Sequence, residues 1–352
     1  MNKLTKVGCS ALCGSLAAIS AANAGDLTVT GGADMTWISL SDQVTGSPLG
    51  IGSNYTLKGS GELDNGWTVD LTIANGNLNA FSAANISLGM GGLGKLNFNQ
   101  GNSGNGIAAF DDKMPTAWEE AWGAGLSTGV RLALGSGAST NIMYTTPTLF
   151  GTTATFTYAP EYGASDTSDK TGGVAGNNKL RSYDGTLNIN PSFGTEVLSG
   201  LNVFVAASSI ESAGSNGTAD IYEGVGGVTY DIGPLSLGYQ VSGDYTGVDS
   251  THGSGNTADW NFYKNHAFGI AFNVNDDLSV SYGEHTSRKA GYNNSAAQSG
   301  APGSREVTVE SWQAAYTMGG ASIRIADVTV DNNLFSAGVQ RSATIVSLGL
   351  AF

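Results

Sequence analysis

The densest run of chemically active side chains lies between Gln100 and Thr128. Asp111, Asp112, Glu119 and Glu120 sit there among glycines, beside Trp118 and Trp122. Carboxylates in such numbers could do three things. Two at a set separation could act on a glycosidic bond. Several converging oxygens could hold calcium. Acids on one side of a narrow wet passage could set a transverse field. Spacing does not favour the first, because adjacent acids are common in loops and chain spacing does not fix the carboxylate separation. The second is a weak reading, since the chain has no Asp-x-Asp-x-Asn-Gly calcium loop.

Other motifs fail on context. Gly89, Gly91 and Gly94 spell a dinucleotide-type glycine pattern, but Lys95-Leu96-Asn97-Phe98 follows as an alternating strand where a helix N-terminus is required. His252, His266 and His285 have no metal-ligand spacing. Cys9 and Cys13 both lie in an N-terminal stretch with Lys3 and Lys6 ahead of an apolar run and Ala22-Asn23-Ala24 after it, the pattern of a cleaved signal peptide. Residues 1–24 are therefore expected to be removed on export, leaving 25–352 as a single domain without thiol chemistry. Losing Lys3 and Lys6 moves the formal charge from −14 to −16. So acidic a chain is no partner for nucleic acid, which needs a basic face.

The elements that must position these residues are strands. Glycine contributes 52 residues and charged residues only 12%, unlike a helical enzyme. Period-two alternation recurs after residue 26. Tyr55, Leu57, Gly59, Gly61 and Leu63 share one face, and Thr56, Lys58, Ser60 and Glu62 the other. Asp64-Asn65-Gly66 then turns the chain into Trp67, Val69, Leu71 and Ile73. Seven such hairpins plus an opening and a closing strand predict about sixteen strands. Short turns alternate with long polar loops, near 41–53, 75–83, 100–139, 160–180, 210–222, 246–260, 287–305 and 328–343. That asymmetry belongs to a transmembrane barrel rather than a sandwich. A barrel of about sixteen strands is too wide for side chains to fill, so its interior must be wet and its apolar face must look out at lipid. Trp37, Trp67, Tyr158, Tyr230, Tyr245, Tyr282 and Tyr316 fall at strand ends, as interfacial girdles require. The expected fold is an all-β, antiparallel transmembrane β-barrel. A secreted β-rich adhesin, soluble and without a lipid-facing belt, is the alternative of another class.

Asp26-Leu27-Thr28-Val29-Thr30-Gly31, the Gly94-Lys95-Leu96-Asn97-Phe98 strand before a long loop, the Tyr144-Thr145-Thr146-Pro147 turn and the closing Val346/Leu348/Leu350/Phe352 alternation together resemble the Gram-negative general porins, of the alphaproteobacterial type. The resemblance covers nearly the whole chain. It implies a homotrimer in the bacterial outer membrane, passing ions and small hydrophilic solutes passively. It also implies a third loop, here 100–129, folded into the lumen as a constriction. Asp111, Asp112, Glu119 and Glu120 would then face basic residues on the opposite wall, for which Lys58, Arg324 and Arg131 are the candidates. So thin a basic side favours a mild cation preference. A channel selective for a sugar or nutrient ion is the runner-up on the same barrel. Phe352 would be the aromatic terminus read by the barrel-assembly machinery. Gly31, Ala33, Gly59 and Gly61 are small residues at lipid-facing positions, where a neighbouring barrel could approach; strand bending is the alternative role for glycine there. No catalytic residue or resident cofactor is expected beyond the weak calcium reading. An outer-membrane lipid hydrolase would need a serine beside His266, and none can be nominated.

Overall fold

The computed structural model describes residues 24–41, 48–77, 83–123, 125–164, 179–191, 196–213, 219–247, 260–290 and 304–351. Its strands are β1 (Ala24–Leu40), β2 (Leu49–Glu62), β3 (Thr68–Gly76), β4 (Ala83–Gly89), β5 (Lys95–Gln100), β6 (Asn141–Thr145), β7 (Thr152–Ala159) and β8 (Lys179–Ile189). They continue as β9 (Leu201–Ser212), β10 (Ile221–Ile232), β11 (Leu235–Tyr245), β12 (Phe262–Asn273), β13 (Leu278–Ala290), β14 (Ser304–Met318), β15 (Ala321–Asp331) and β16 (Arg341–Ala351). Each pairs antiparallel with its neighbours in chain order, and β16 pairs with β1, so the sheet closes into one sixteen-stranded barrel. Closure satisfies the backbone of every strand within the sheet, which is what a bilayer demands. At about 2.5 Å of height per tilted residue, a twelve-residue strand rises about 30 Å, enough to cross the apolar band.

The alternation sorts as its physics requires. Leu71 and Ile73 on β3, Phe156 on β7, Tyr239 on β11 and Trp312 on β14 are exposed on the outer face. The intervening residues, such as Ser208, Gln240, Ser281, Ser311 and Gln313, point inward and are covered. Leu57, Val69, Leu71 and Ile270 lie outside the buried core. The turns form where glycine and asparagine place them. In the β2–β3 hairpin the Gly66 N–H donates to Leu63 O at 2.8 Å, and Gly233 and Gly319 take left-handed φ of 59° in theirs.

Two expectations change. The strands outrun the apolar alternation: β13 and β14 reach Ala290 and Ser304, where sequence implies a loop over 287–305. Beyond the paired rings of Tyr282 and Trp312, 4.6 Å apart, the outward residues become Glu284, Thr286, Glu310, Thr308 and Glu306. The ladder continues after its lipid-facing signal stops. The interior is also not polar throughout. Val307, Val309, Ala326, Val328, Val330, Ala343 and Ile345 point inward on β14–β16 and are buried with Ala121 and Phe335. These inward apolar residues survive because other protein covers them: Trp118, Leu126 and Val130 of the β5–β6 connection pack against the cluster.

The leader assignment falls almost wholly outside the described residues, as does Phe352.

Candidate functional site

The β5–β6 connection, residues 101–140, matches the long loop expected near 100–139 and is fastened to inward side chains of the wall. One register row of inward side chains supplies much of the attachment. It runs Asp184 (β8), Ser208 (β9), Glu223 (β10), Asp244 (β11), Tyr263 (β12), Lys289 (β13), Arg305 (β14). Asp184, 4% exposed, accepts from the Ile107 N–H at 3.4 Å, the Ser136 N–H at 3.1 Å, the Ser136 hydroxyl at 3.1 Å and the Ser208 hydroxyl at 2.7 Å. Glu223 accepts from the Gly135 N–H. Asp244 accepts from Arg131 Nε at 2.5 Å. A buried carboxylate is stable only with such donors around it, so these acids are committed to holding chain.

A second row extends the attachment. The Ala117 N–H donates to Ser281 Oγ at 2.8 Å. Gln313 Oε1 accepts from the N–H groups of Trp118 (3.1 Å) and Glu119 (2.9 Å), and its Nε2 donates to Glu119 O at 2.6 Å. Between the rows lies a trough of three glycines paired across neighbouring strands, Gly238, Gly269 and Gly283. Pro115 occupies the space a side chain at Gly238 would need. Its carbonyl oxygen lies 2.7 Å from where a Cβ on Gly269 would stand. Ala121 comes within 3.5 Å of the same point on Gly283. The bare backbone is what lets the connection lie this close.

The four acids of the connection take different roles. Glu120 is buried and accepts from the Met114 N–H at 3.0 Å, closing a turn of its own loop. Burial pushes its carboxyl up to about 8 against the opposing hydrogen bond, with Asp112, Asp111 and Glu119 adding to the rise. With its carboxyl near 8 and bonded within its own loop, it is largely protonated at neutral pH. Asp111 is raised to about 6, by burial first and by Asp112 next. Glu119 is also raised by burial, with Arg324 working against the rise. Asp112 is exposed.

The basic residues are not arrayed opposite these acids. Arg131 belongs to the connection itself and is spent on Asp244. Arg324, on β15, pairs with Asp34, donates to Ser347 Oγ at 2.9 Å and lies 5.1 Å from the Trp118 ring, on the acids' own flank. β15 follows β14, whose Gln313 holds the connection, whereas Asp34 of β1 reaches Arg324 only because closure pairs β16 with β1. Lys58, on β2, points inward on the wall away from β8–β14, 3.7 Å from Asp70.

Elsewhere, Gly31, Ala33, Gly59 and Gly61 hold outward positions, and a Cβ on Gly59 would meet nothing within 4 Å. Leu27, 72% exposed, is the register partner of Gly59. His266 sits on the outer face with Nδ1 2.8 Å from the Tyr239 hydroxyl, so its partner is a tyrosine rather than the serine a hydrolase needs. Among the described residues no group of three or more His, Cys, Asp or Glu side chains could hold a metal ion.

Sequence reasoning missed Asp184, Glu223, Asp244, the glycine trough, Lys289 and Arg305. Each falls on the polar phase of its strand, where any hydrophilic or small residue reads as wall. The missing signal is register across strands, which aligns them into rows.

The family model for Gram-negative porins matches residues 8–352. No curated protein sequence matches the chain. Among solved structures, the anion-selective porin from Comamonas acidovorans superposes with a TM-score of 0.64 at 15% identity, covering 93% of this chain and 99% of that one. The Salmonella typhi OmpF complex with daunomycin gives 0.64 at 13% identity, covering 93% and 97%. The outer-membrane channel DcaP of Acinetobacter baumannii gives 0.64 at 11% identity, covering 94% and 98%. Identities this low establish the fold alone. With the family match over nearly its whole length, the chain belongs to the Gram-negative porins, the channel-forming barrels of the bacterial outer membrane.

Proposed function

We propose that the chain forms a passive, water-filled diffusion channel for ions and small hydrophilic solutes, constricted by residues 101–140, mildly cation-preferring and without a catalytic step. The carrying observation is the attachment of that connection to inward side chains of β8, β10, β11, β13 and β14. A segment fastened across so much of one flank narrows whatever space the barrel encloses. The preference follows from pairing. Lys58, Arg324 and Arg131 each stand beside a carboxylate and contribute little net charge. Asp111, Asp112 and Glu119 then outweigh Lys113. Reversal potentials of the purified protein in a potassium chloride gradient test this reading. They should show cations passing more easily, and neutralising Asp111, Asp112 and Glu119 together should reduce the bias. An anion-selective channel would refute the preference.

Export through cleavage after Ala24, trimer contact through Gly31, Ala33, Gly59 and Gly61, and recognition of Phe352 by the barrel-assembly machinery complete the proposal. Deleting Phe352 should lower the yield of folded, heat-modifiable barrel in outer membranes; an unchanged yield would remove that role.

A further inference from the structure

Lys289 and Arg305 are direct cross-strand partners on the inner wall, near the long-loop end of β13 and β14. Like charges directly opposite one another destabilise a sheet. The other inward cations described above have acids beside them. For these two, no carboxylate lies within ion-pair distance among the described residues, and the 291–303 connection that joins their strands contains no acid.

The surroundings hold both charges in place without neutralising them. The Lys289 ammonium lies 4.5 Å from the centre of the Trp260 ring and 4.3 Å from that of Phe335. Arg305 Nη1 donates to the Phe335 carbonyl at 3.3 Å, and its buried Nε has no partner among the described residues. Tyr263 meets the Phe335 ring edge-on at 6.0 Å. Aromatic faces attract a cation but leave its charge uncancelled.

Phe335 is put there by a backbone that resists it. Asn332, Leu334 and Phe335 have φ of 53°, 54° and 59°, the left-handed region that non-glycine residues avoid. The turn is buttoned to the β5–β6 connection by the Leu334 N–H on Thr128 O (3.0 Å) and Asn333 Nδ2 on Ser127 O (2.9 Å). Strain of this kind persists where the surroundings over-determine it, often at sites that bind.

We infer that Lys289 and Arg305 form a capture site at the long-loop mouth for small solutes bearing an oxyanion, a carboxylate or a phosphate; the inference rests on the channel reading. An ammonium beside a planar guanidinium fork matches the oxygens of either group. The two like charges, costly when the site is empty, become favourable once an anion bridges them. Such a site concentrates acidic solutes locally at the entrance of a barrel whose net charge would otherwise repel them.

The test is single-channel recording of the purified full-length protein in planar bilayers, with benzoate or phosphate added to one side and then the other. Concentration-dependent interruptions of the current, stronger from one side, are expected. Lys289→Ala and Arg305→Ala should each raise the half-blocking concentration about tenfold or more, the scale of a lost charge-assisted hydrogen bond. Lys289→Arg should retain block, which separates loss of charge from loss of fold. Loss of block for both anions indicates a general oxyanion site, and loss for one alone fixes its class. A conducting channel that neither anion interrupts, or one interrupted equally in wild type and variants, overturns the inference alone. A preparation that conducts no ions overturns the channel reading and this inference with it.

Discussion

Asp184 is the best place to test whether the β5–β6 connection is held in the way described. Asp184→Ala removes the acceptor for two backbone N–H groups and two hydroxyls. At about 1.5 kcal/mol for each hydrogen bond to a charged group, the three that reach the connection sum to about 4.5 kcal/mol, while the fourth, from Ser208 of β9, ties wall to wall. Relief from burying a carboxylate offsets part of that, leaving about 2–4 kcal/mol. The barrel's own ladder is untouched, so the loss should fall on docking of the connection rather than on global folding. That shifts the equilibrium toward detachment by about 30- to 1,000-fold. Two readouts follow. Limited proteolysis should cut within 101–140 in the variant under conditions where wild type stays intact. Single-channel traces should show larger or noisier conductance. Asp184→Asn, which keeps one acceptor oxygen, should be intermediate. If Asp184→Ala resists protease as wild type does and conducts with the same amplitude and noise, the carboxylate does not anchor the connection.

The selectivity should depend on pH on the acid side. Lowering pH from 7 to 5 protonates Asp111, raised to about 6, and should weaken the cation preference; raising it from 7 to 9 ionises Glu120, near 8, which faces its own loop, and should change the preference little, whereas reversal potentials flat between pH 7 and 5 would contradict the assignment. Leu71→Arg places a charge on the lipid face midway along β3 and should cost about 2–4 kcal/mol of folding stability in bilayers, measured by denaturant titration. A polar substitution at inward Thr72 should cost far less, and equal losses would mean that the faces are misassigned. Gly59→Trp fills a position open on the outer wall and should convert trimers to monomers on crosslinking, while an intact trimer would move the contact elsewhere.

How much was legible in the sequence follows from what each feature depends on. Strand number, turn positions and the outward face depend on contrast between adjacent residues, as in Val69-Asp70-Leu71-Thr72, and that contrast is local. Strand ends were misjudged where the outward residues turn polar. Over 287–290 and 304–305 the ladder continues without apolar contrast, so the pattern reads as loop. The apolar inner wall at Val307, Val309, Val328 and Val330 was hidden for the opposite reason. Alternation with glutamate and threonine looks the same whichever face is buried, and only the covering connection decides. The site was least legible. Gly238, Gly269 and Gly283 stand far apart in the chain, and nothing in any single strand marks its glycine as part of a trough.

The same dependence explains why the acid count overstates the charge available to a passing ion. An inward carboxylate on a wide barrel has two fates: it meets water, or it meets a segment folded against it. Asp184, Glu223 and Asp244 have the second fate; their oxygens face Ile107, Ser136, Gly135 and Arg131. Glu120 has it from the other side, turned into its own loop. Acids used in this way hold the connection, and on the proposed reading they are no part of a selectivity filter. On the proposed reading, a net charge of −14 therefore coexists with a narrow set of groups, Asp111, Asp112 and Glu119, left to bias the flow. It coexists too with two cations, Lys289 and Arg305, that have no acid within ion-pair distance among the described residues. Selectivity in such a barrel is set by which charges the folded connection leaves unspent, and the chain's total charge is a poor guide to it.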